Sequence, residues 1–260
     1  MITPGHPLDL TGHVALVTGG NSGVGLGMAE GLARAGADVC NWGRNPDKNQ
    51  AAVEQIGRHG RRVAAAQVDI ADEAAVVEGF SRVVEDFGRL DSCFANAALA
   101  NSMTNPPFLD STLEQWREVL RVDLDGAYLT TREAVRHMVD LGNGGSIVLT
   151  SSIAALFGSP REEAYATAKA GVTALARSLA VEFGRHGIRA NAVLPGWTRS
   201  PVFDGWLDNP AVSEKVLARI PLRRWGTPED WAGVAVYLAS PASSFHTGDC
   251  LRLDGGFGVF

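Results

Sequence analysis

His13-Val-Ala-Leu-Val-Thr-Gly-Gly-Asn-Ser-Gly-Val-Gly25 is an apolar run that closes in glycines. His13 to Val17 reads as a first strand, and Leu26 to Ala35 as the helix that follows it. Glycines at such a junction bring backbone N–H groups and a helix dipole to one point, where a pyrophosphate is favoured. In this TGxxxGxG pattern Gly19 allows the tight turn, Gly23 lets backbone approach a phosphate, and Gly25 lets the helix pack close to the strand. Asn21, Ser22 and Val24 complete the loop. A glycine-rich turn without any ligand would spell the same letters. The position at the first strand-to-helix junction is what favours a dinucleotide.

Outward from this loop the same alternation repeats. Ala37 to Trp42 reads as a second strand with Asp47 to Gly57 helical after it. Val63 to Val68, Leu90 to Ala95, Ser146 to Thr150, Arg189 to Leu194 and Cys250 to Leu253 read as five more strands. Strands that alternate with helical stretches imply right-handed crossovers and a parallel sheet covered on both faces. The strands are continuously apolar rather than alternating, as burial on both faces requires. The expected fold is therefore a Rossmann-type, doubly wound α/β sheet in one domain over residues 1–260. The irregular stretch from Pro195 to Pro210 suggests a loop with its own short helix, and 195–220 is expected to cover a substrate.

The second strand ends Asn41-Trp-Gly-Arg44. An NAD site wants an acidic residue there for the ribose hydroxyls. Gly43 stands at that place, and Arg44 follows with a guanidinium that can fork onto a 2′-phosphate. NADP is thus preferred, with NAD possible if Asp47 or a main-chain group serves the ribose.

Tyr165-Ala-Thr-Ala-Lys169 sets a phenol and an ammonium four residues apart in an Ala- and Leu-rich helical run. The two share a helix face. A free phenol ionises poorly near neutrality, but a neighbouring ammonium favours the phenolate. Tyr165 can then give a proton in one direction and take it in the other. Taken alone the pair would suit a solvated helix face. Thr150-Ser-Ser152 closes the fifth strand, where ligands of such sheets bind, and a hydroxyl there can hydrogen-bond a developing alkoxide.

These motifs together resemble the short-chain dehydrogenase/reductase family, in its compact branch, over essentially the whole chain. The matching stretches are Thr18 to Gly25, Asp69, Asn96-Ala-Ala98, Ser152 thirteen residues before Tyr165, the YxxxK pair, Pro195-Gly196, Arg224 to Asp230 and Asp254-Gly-Gly256. The spacing selects Ser152 over Ser151. The resemblance implies hydride transfer with a nicotinamide, and Lys169 also binding the nicotinamide ribose. It implies Asn96 and Ala97 on the adenosine side, Asp69 and Ile70 flanking the adenine, and main chain around Thr198 meeting the carboxamide. It further implies a homotetramer, or a dimer, built through the helix of Tyr165 and the C-terminal strand. Gluconate dehydrogenase-like and ketoacyl reductase-like members are the most similar branch.

Two departures stand out. Val122-Asp-Leu-Asp-Gly126 places Asp123 where the family usually has Asn in a VNLxG stretch. In the family the main-chain carbonyl of that residue holds a water leading from the lysine to solvent, which a change of side chain does not remove. An ionised Asp123 either stabilises the Lys169 ammonium or draws it from Tyr165, and an altered pH profile follows. Ala98 replaces the usual glycine of the NAG triplet, a methyl group that the surroundings are expected to absorb.

Composition bounds the rest. Among 260 residues, 45% are hydrophobic and 20% charged, with a formal net charge of −6. That balance, with no basic run, argues against nucleic acid as a partner. No apolar stretch approaches a membrane span. Met1 to Leu10 lacks a secretory pattern. Cys40, Cys93 and Cys250 lack metal-ligand spacing, and Cys40 and Cys93 read as inert thiols in strands. None of the six histidines forms a ligand pair, so no metal is expected. The expected location is cytoplasmic. Glu162 and Glu163 read as a solvated helix start, and Trp197, Phe203 and Trp206 as either pocket wall or plain packing.

The leading reading is an NAD(P)-dependent oxidoreductase for a ketone and a secondary alcohol, with a small-molecule substrate that the sequence does not identify. The alternatives are a non-catalytic dinucleotide-binding protein and an NAD-linked sugar-acid dehydrogenase.

Overall fold

The structure is a computed structural model that describes residues 5–99, 105–201 and 203–259; the side chain of Trp206 lies outside what is described. Its centre is a seven-stranded parallel sheet of order β3-β2-β1-β4-β5-β6-β7. The strands are β1 (Val14–Thr18), β2 (Asp38–Trp42), β3 (Val63–Ala66), β4 (Ser92–Ala95), β5 (Gly145–Thr150), β6 (Ile188–Pro195) and β7 (Cys250–Leu253). Chain order reverses between β1 and β4, so the crevice at their carboxyl ends is the switch point where such sheets take ligands.

Both faces of the inner strands β1, β4 and β5 are buried, which is why they carry no polar alternation, while the edge strands β3 and β7 are only partly covered. Val14 and Leu16 of β1, Cys93 and Ala95 of β4, and Ile147 and Leu149 of β5 point into one core. The helices α3 (Glu73–Phe87), α5 (Gly126–Leu141) and α6 (Glu163–Phe183) close it with Phe80, Met138 and Val172. Ala15, Val17, Phe94 and Val148 point into the opposite core. There α1 (Gly23–Arg34), α2 (Pro46–Gly57) and α9 (Ala232–Ala239) supply Met28, Leu32, Ile56 and Leu238. A smaller cluster of Leu207, Ile220, Trp225 and Phe257 lies outside the sheet.

Three local features position the site. First, α1 begins at Gly23, inside the glycine motif and not at Leu26. Its poor helix formers are explained by contact: a Cβ on Gly27 would overlap the Pro228 carbonyl, and one on Gly31 would lie 2.6 Å from Ala232 Cα. Close approach of the Pro228–Trp231 turn therefore outweighs propensity. The Arg224–Asp230 ion pair ties that turn down, with Asp230 Oδ2 also accepting from the Thr227 amide at 2.8 Å.

Second, α4 (Leu113–Leu120) runs into α5 through a π-helical turn, Arg121–Asp125, which carries Asp123. The extra residue offsets the helix ladder beside the sheet, a form that recurs at functional sites. Third, the segment after β6 contains α7 (Asp204–Leu207), the short helix expected between Pro195 and Pro210, and then α8 (Pro210–Leu217), which starts where that stretch ends.

Candidate active site

A cleft of about 610 Å³ opens at the carboxyl ends of β1, β2, β4, β5 and β6. Gly19, Asn21, Ser22, Gly23, Val24, Gly25, Arg44, Asp69, Ile70, Asn96, Ala97, Ser152, Tyr165, Lys169, Pro195, Gly196 and Thr198 all line it. Asp123 stands behind this wall and reaches it through Lys169.

The glycine loop forms one end. Gly19 and Gly23 have φ of +66° and +53°, which a side chain would strain. A Cβ on Gly19 would also lie 3.0 Å from Ala97 Cα. Gly25 packs against the Gly19 carbonyl and the Asn96 amide, so it admits its own loop as much as the strand. Ser22 gives α1 no side-chain cap, and its first turn carries no acidic residue. The opening N–H groups of α1 thus remain for an anion. Thr18 holds the opposite strand in place: its hydroxyl accepts from the amides of Asn96 and Ala97, each at 3.0 Å. The Asn96 side chain returns the contact to the Thr18 carbonyl at 3.0 Å.

At the end of β2 the space an acidic residue would need is filled. A Cβ on Gly43 would overlap the Asn21 amide and lie 2.5 Å from Asn49 Oδ1. Asn21 Nδ2 donates to Asn49 Oδ1 at 2.7 Å, and Asn49 Nδ2 donates to the Gly43 carbonyl at 2.9 Å. Arg44 is exposed at the lip with Asn45 and Lys48. Its guanidinium has no hydrogen bond or ion pair within 4 Å among the described residues. Asp47 is not on the cleft wall. Beyond Arg44, Asp69 turns its Oδ1 to the Ala71 amide at 3.0 Å, which fixes Ile70 against the cleft.

The centre of the cleft joins β5 to α6. Ser151 is committed to structure: its hydroxyl donates to the Lys169 carbonyl at 2.8 Å and accepts from Thr173 at 2.9 Å. Ser152 follows with its hydroxyl at the cleft beside Tyr165. Lys169 is one turn on from Tyr165, with Nζ 5.5 Å from the phenol ring centroid. That ammonium donates to the Thr150 carbonyl at 3.2 Å. Asp123 Oδ2 lies 3.7 Å from it, while Asp123 Oδ1 accepts from the Leu99 amide at 2.7 Å.

Burial pushes the Tyr165 phenol well above its ordinary range; the Ser152 hydroxyl opposes that shift, and the Asp123 and Glu162 carboxylates add to it. Burial lowers the Lys169 ammonium, and Asp123 counteracts that. Glu162 is half-buried on the cleft wall, and Glu163 is half-buried too, accepting from the Arg161 amide at 3.3 Å, so neither is simply a solvated helix start.

Past Tyr165 the wall turns apolar. Phe157, Trp197, Phe203, Leu207 and Phe257 line it with Arg219. Residues 195–220 therefore form much of this end, and Trp197 and Phe203 are pocket wall. Gly196 is required for packing, because a Cβ there would lie 2.6 Å from Asp254 Cα. Thr198 bridges to Gly226, and its hydroxyl donates to the Gly196 carbonyl at 3.2 Å.

Burial pushes the Cys40 thiol up to about 12 and raises Cys93 further, in keeping with inert thiols. Among the described residues no group of side chains could hold a metal, and no helix is long and apolar enough to cross a membrane.

The comparisons agree with this geometry. A family model described as enoyl-(acyl carrier protein) reductase matches residues 19–258. L-rhamnose 1-dehydrogenase (NAD(P)(+)) of Sphingomonas sp. strain SKA58 is 39% identical over 96% of this chain and 98% of its own length. The crystal structure of a putative short-chain alcohol dehydrogenase from Sinorhizobium meliloti 1021 superposes with a TM-score of 0.92 at 34% identity, covering 97% of this chain and 99% of that one. A gluconate 5-dehydrogenase from Burkholderia cenocepacia J2315, in complex with NADP and tartrate, gives 0.91 at 30% identity, covering 98% of both chains.

Proposed function

This chain belongs to the short-chain dehydrogenase/reductase family, and on that premise we propose that it interconverts a ketone and a secondary alcohol, with Tyr165 as the general acid and base. The observation that carries this reading is the convergence of Ser152, Tyr165 and Lys169 on the cleft that the glycine loop closes.

The loop fits a dinucleotide: positive-φ glycines, an uncapped helix start and no acidic side chain in its first turn. A nicotinamide bound there would supply or accept the hydride. The chain's own residues handle the proton and the oxygen. Ser152 donates a hydrogen bond to the substrate oxygen, and Tyr165 delivers a proton to that oxygen on reduction or removes it on oxidation. Lys169 supplies the positive charge that favours the phenolate, and Asp123 holds Lys169 charged against the cost of burial. Ala97, Asp69 and Ile70 take the adenosine side, and Thr198 the carboxamide.

Arg44 and Lys48 at the lip, with Gly43 too crowded for a carboxylate, favour NADP over NAD. We further assign a homotetrameric assembly in the cytoplasm. Val181 on α6 and Phe245 before β7 are exposed apolar groups on the surfaces such an assembly would use.

The test is turnover of a carbonyl panel with NADPH and with NADH. Oxidation of either cofactor by native protein and its loss in Tyr165→Phe are expected. Native protein that binds NADPH yet turns over nothing would leave the non-catalytic reading standing.

A further inference from the structure

Among the described residues, the apolar end of the cleft contains one cation without an ion pair. Arg219 is exposed at its mouth, and its guanidinium carbon lies 4.3 Å from the centroid of the Phe257 ring. Neighbouring arginines are otherwise engaged. Arg199 pairs with Asp204 and Asp208, Arg224 with Asp230, and Arg252 with Asp254, while Arg223 donates to the Ala218 carbonyl. Arg219 has no carboxylate within 4 Å and no side-chain hydrogen bond among the described residues.

The platform beneath it is rigid. Phe257 is buried, with Phe157 and Trp197 edge-on to its ring at 6.3 and 6.5 Å. Asp254 fixes the turn that presents it, accepting from the amides of Gly256 at 2.9 Å and Gly258 at 2.8 Å. A guanidinium stacked on a ring spends its face on the contact. Its N–H donors lie in the plane and keep the fork geometry that matches a carboxylate. Near the reacting centre the wall carries the Lys169 ammonium, paired with Asp123 behind it, and Glu162, whose negative charge acts on Tyr165. Of the cleft's charges at this end, Lys169 is matched by Asp123, Glu162 stands by Tyr165, and Arg219 stands among the apolar residues without an ion pair.

We propose that the substrate is a small oxo or hydroxy acid whose carboxylate is held by Arg219, which sets its carbonyl at Ser152 and Tyr165. This rests on the oxidoreductase reading above. An anion entering the wrong way round would meet Glu162, so one orientation is selected.

The test uses linear oxohexanoates with the ketone at position 2, 4 or 5, and the primary amide of each, on native enzyme with NADPH. At least one acid is expected to be preferred over its amide. Arg219→Gln should raise the KM for that acid about tenfold to a hundredfold, the worth of a charged hydrogen bond, with kcat nearly unchanged. Turnover of the amide should not move, and Arg219→Lys should restore part of the loss. Equal use of acid and amide, or an unchanged KM in Arg219→Gln, overturns the carboxylate assignment and leaves the oxidoreductase reading intact. Should no ketone be reduced, calorimetric titration of the same acids into the NADPH-loaded protein still decides. Binding of an acid that Arg219→Gln weakens supports the anchor, and no difference between the two proteins overturns it.

Discussion

The Lys169 ammonium stands 3.7 Å from the Asp123 carboxylate, with side-chain exposures of 3% and 0%. A buried cation beside a buried anion is held by attraction that water does not screen, and removing either partner leaves the other uncompensated. Asp123 does a second thing that a neutral amide also can: its Oδ1 receives the Leu99 amide and anchors the chain after β4. The unusual residue thus adds charge to a contact that an Asn at this place could still make.

That separation predicts the behaviour of Asp123→Asn. Asp123 raises the Lys169 ammonium and the Tyr165 phenol alike, so its neutralisation lowers both. On the proposed mechanism, ketone reduction needs Tyr165 protonated and Lys169 charged, and both conditions are then lost at lower pH. The alkaline limb of the kcat/KM profile for reduction should move to lower pH, with the fold retained by circular dichroism. Profiles that superimpose would remove Asp123 from the proton chemistry.

Tyr165→Phe takes away the proposed proton donor and keeps the ring. The expected loss in kcat is about 10²- to 10⁴-fold, with NADPH binding by fluorescence titration unchanged. Ser152→Ala removes the proposed donor to the substrate oxygen and should cost about 10²- to 10³-fold. Ser151→Ala is the contrasting variant. It disturbs the Thr173 and Lys169 contacts and should lower thermal stability before it touches chemistry.

The sheet and the residues lining the centre of the cleft were legible because both depend on local pattern. Apolar runs marked all seven strands, and fixed spacings marked the glycine loop, Ser152, Tyr165 and Lys169. What escaped depends on residues meeting across the fold. Asn49 occupies the buried face of α2 with Ala52 and Ile56, a polar residue at core spacing that was the one available sign of its bond to Asn21. Phe257 and Arg219 come together only when the C-terminal turn closes on the segment after β6, which no periodicity records. Glu162 faces the cleft because α6 starts after it, and helix boundaries are poorly marked in sequence.

The glycines of α1 yield a stability prediction with two signs. Alanine at Gly27 gains about 1 kcal/mol of helix propensity but overlaps the Pro228 carbonyl, and overpacking costs about 1–3 kcal/mol. Gly27→Ala should therefore melt at a lower temperature. Gly57, at the end of α2, has nothing within 4 Å of an added Cβ. Gly57→Ala should raise stability by about 0.4–1 kcal/mol. Equal effects at the two positions, read by calorimetry, would break the argument that contact sets the cost.

Cofactor choice can be tested at the lip of β2. On the proposed preference, a 2′-phosphate at Arg44 would form charge-assisted hydrogen bonds worth about 1.5–3 kcal/mol, which NADH cannot make. Arg44→Ala should lower kcat/KM for NADPH about 10- to 150-fold and leave that for NADH unchanged. The reverse design, Gly43→Asp, would ordinarily invite NAD by offering a carboxylate to the ribose. Here the new side chain meets the Asn21–Asn49 pair, whose amide also holds the Gly43 carbonyl. Gly43→Asp alone should lose stability without gaining NADH activity, whereas pairing it with Asn21→Ala removes the amide that the new side chain would overlap. An NADH gain in the single variant would show that the asparagine pair yields, and that the absence of a carboxylate at Gly43, with Arg44 still in place, limits NADH use.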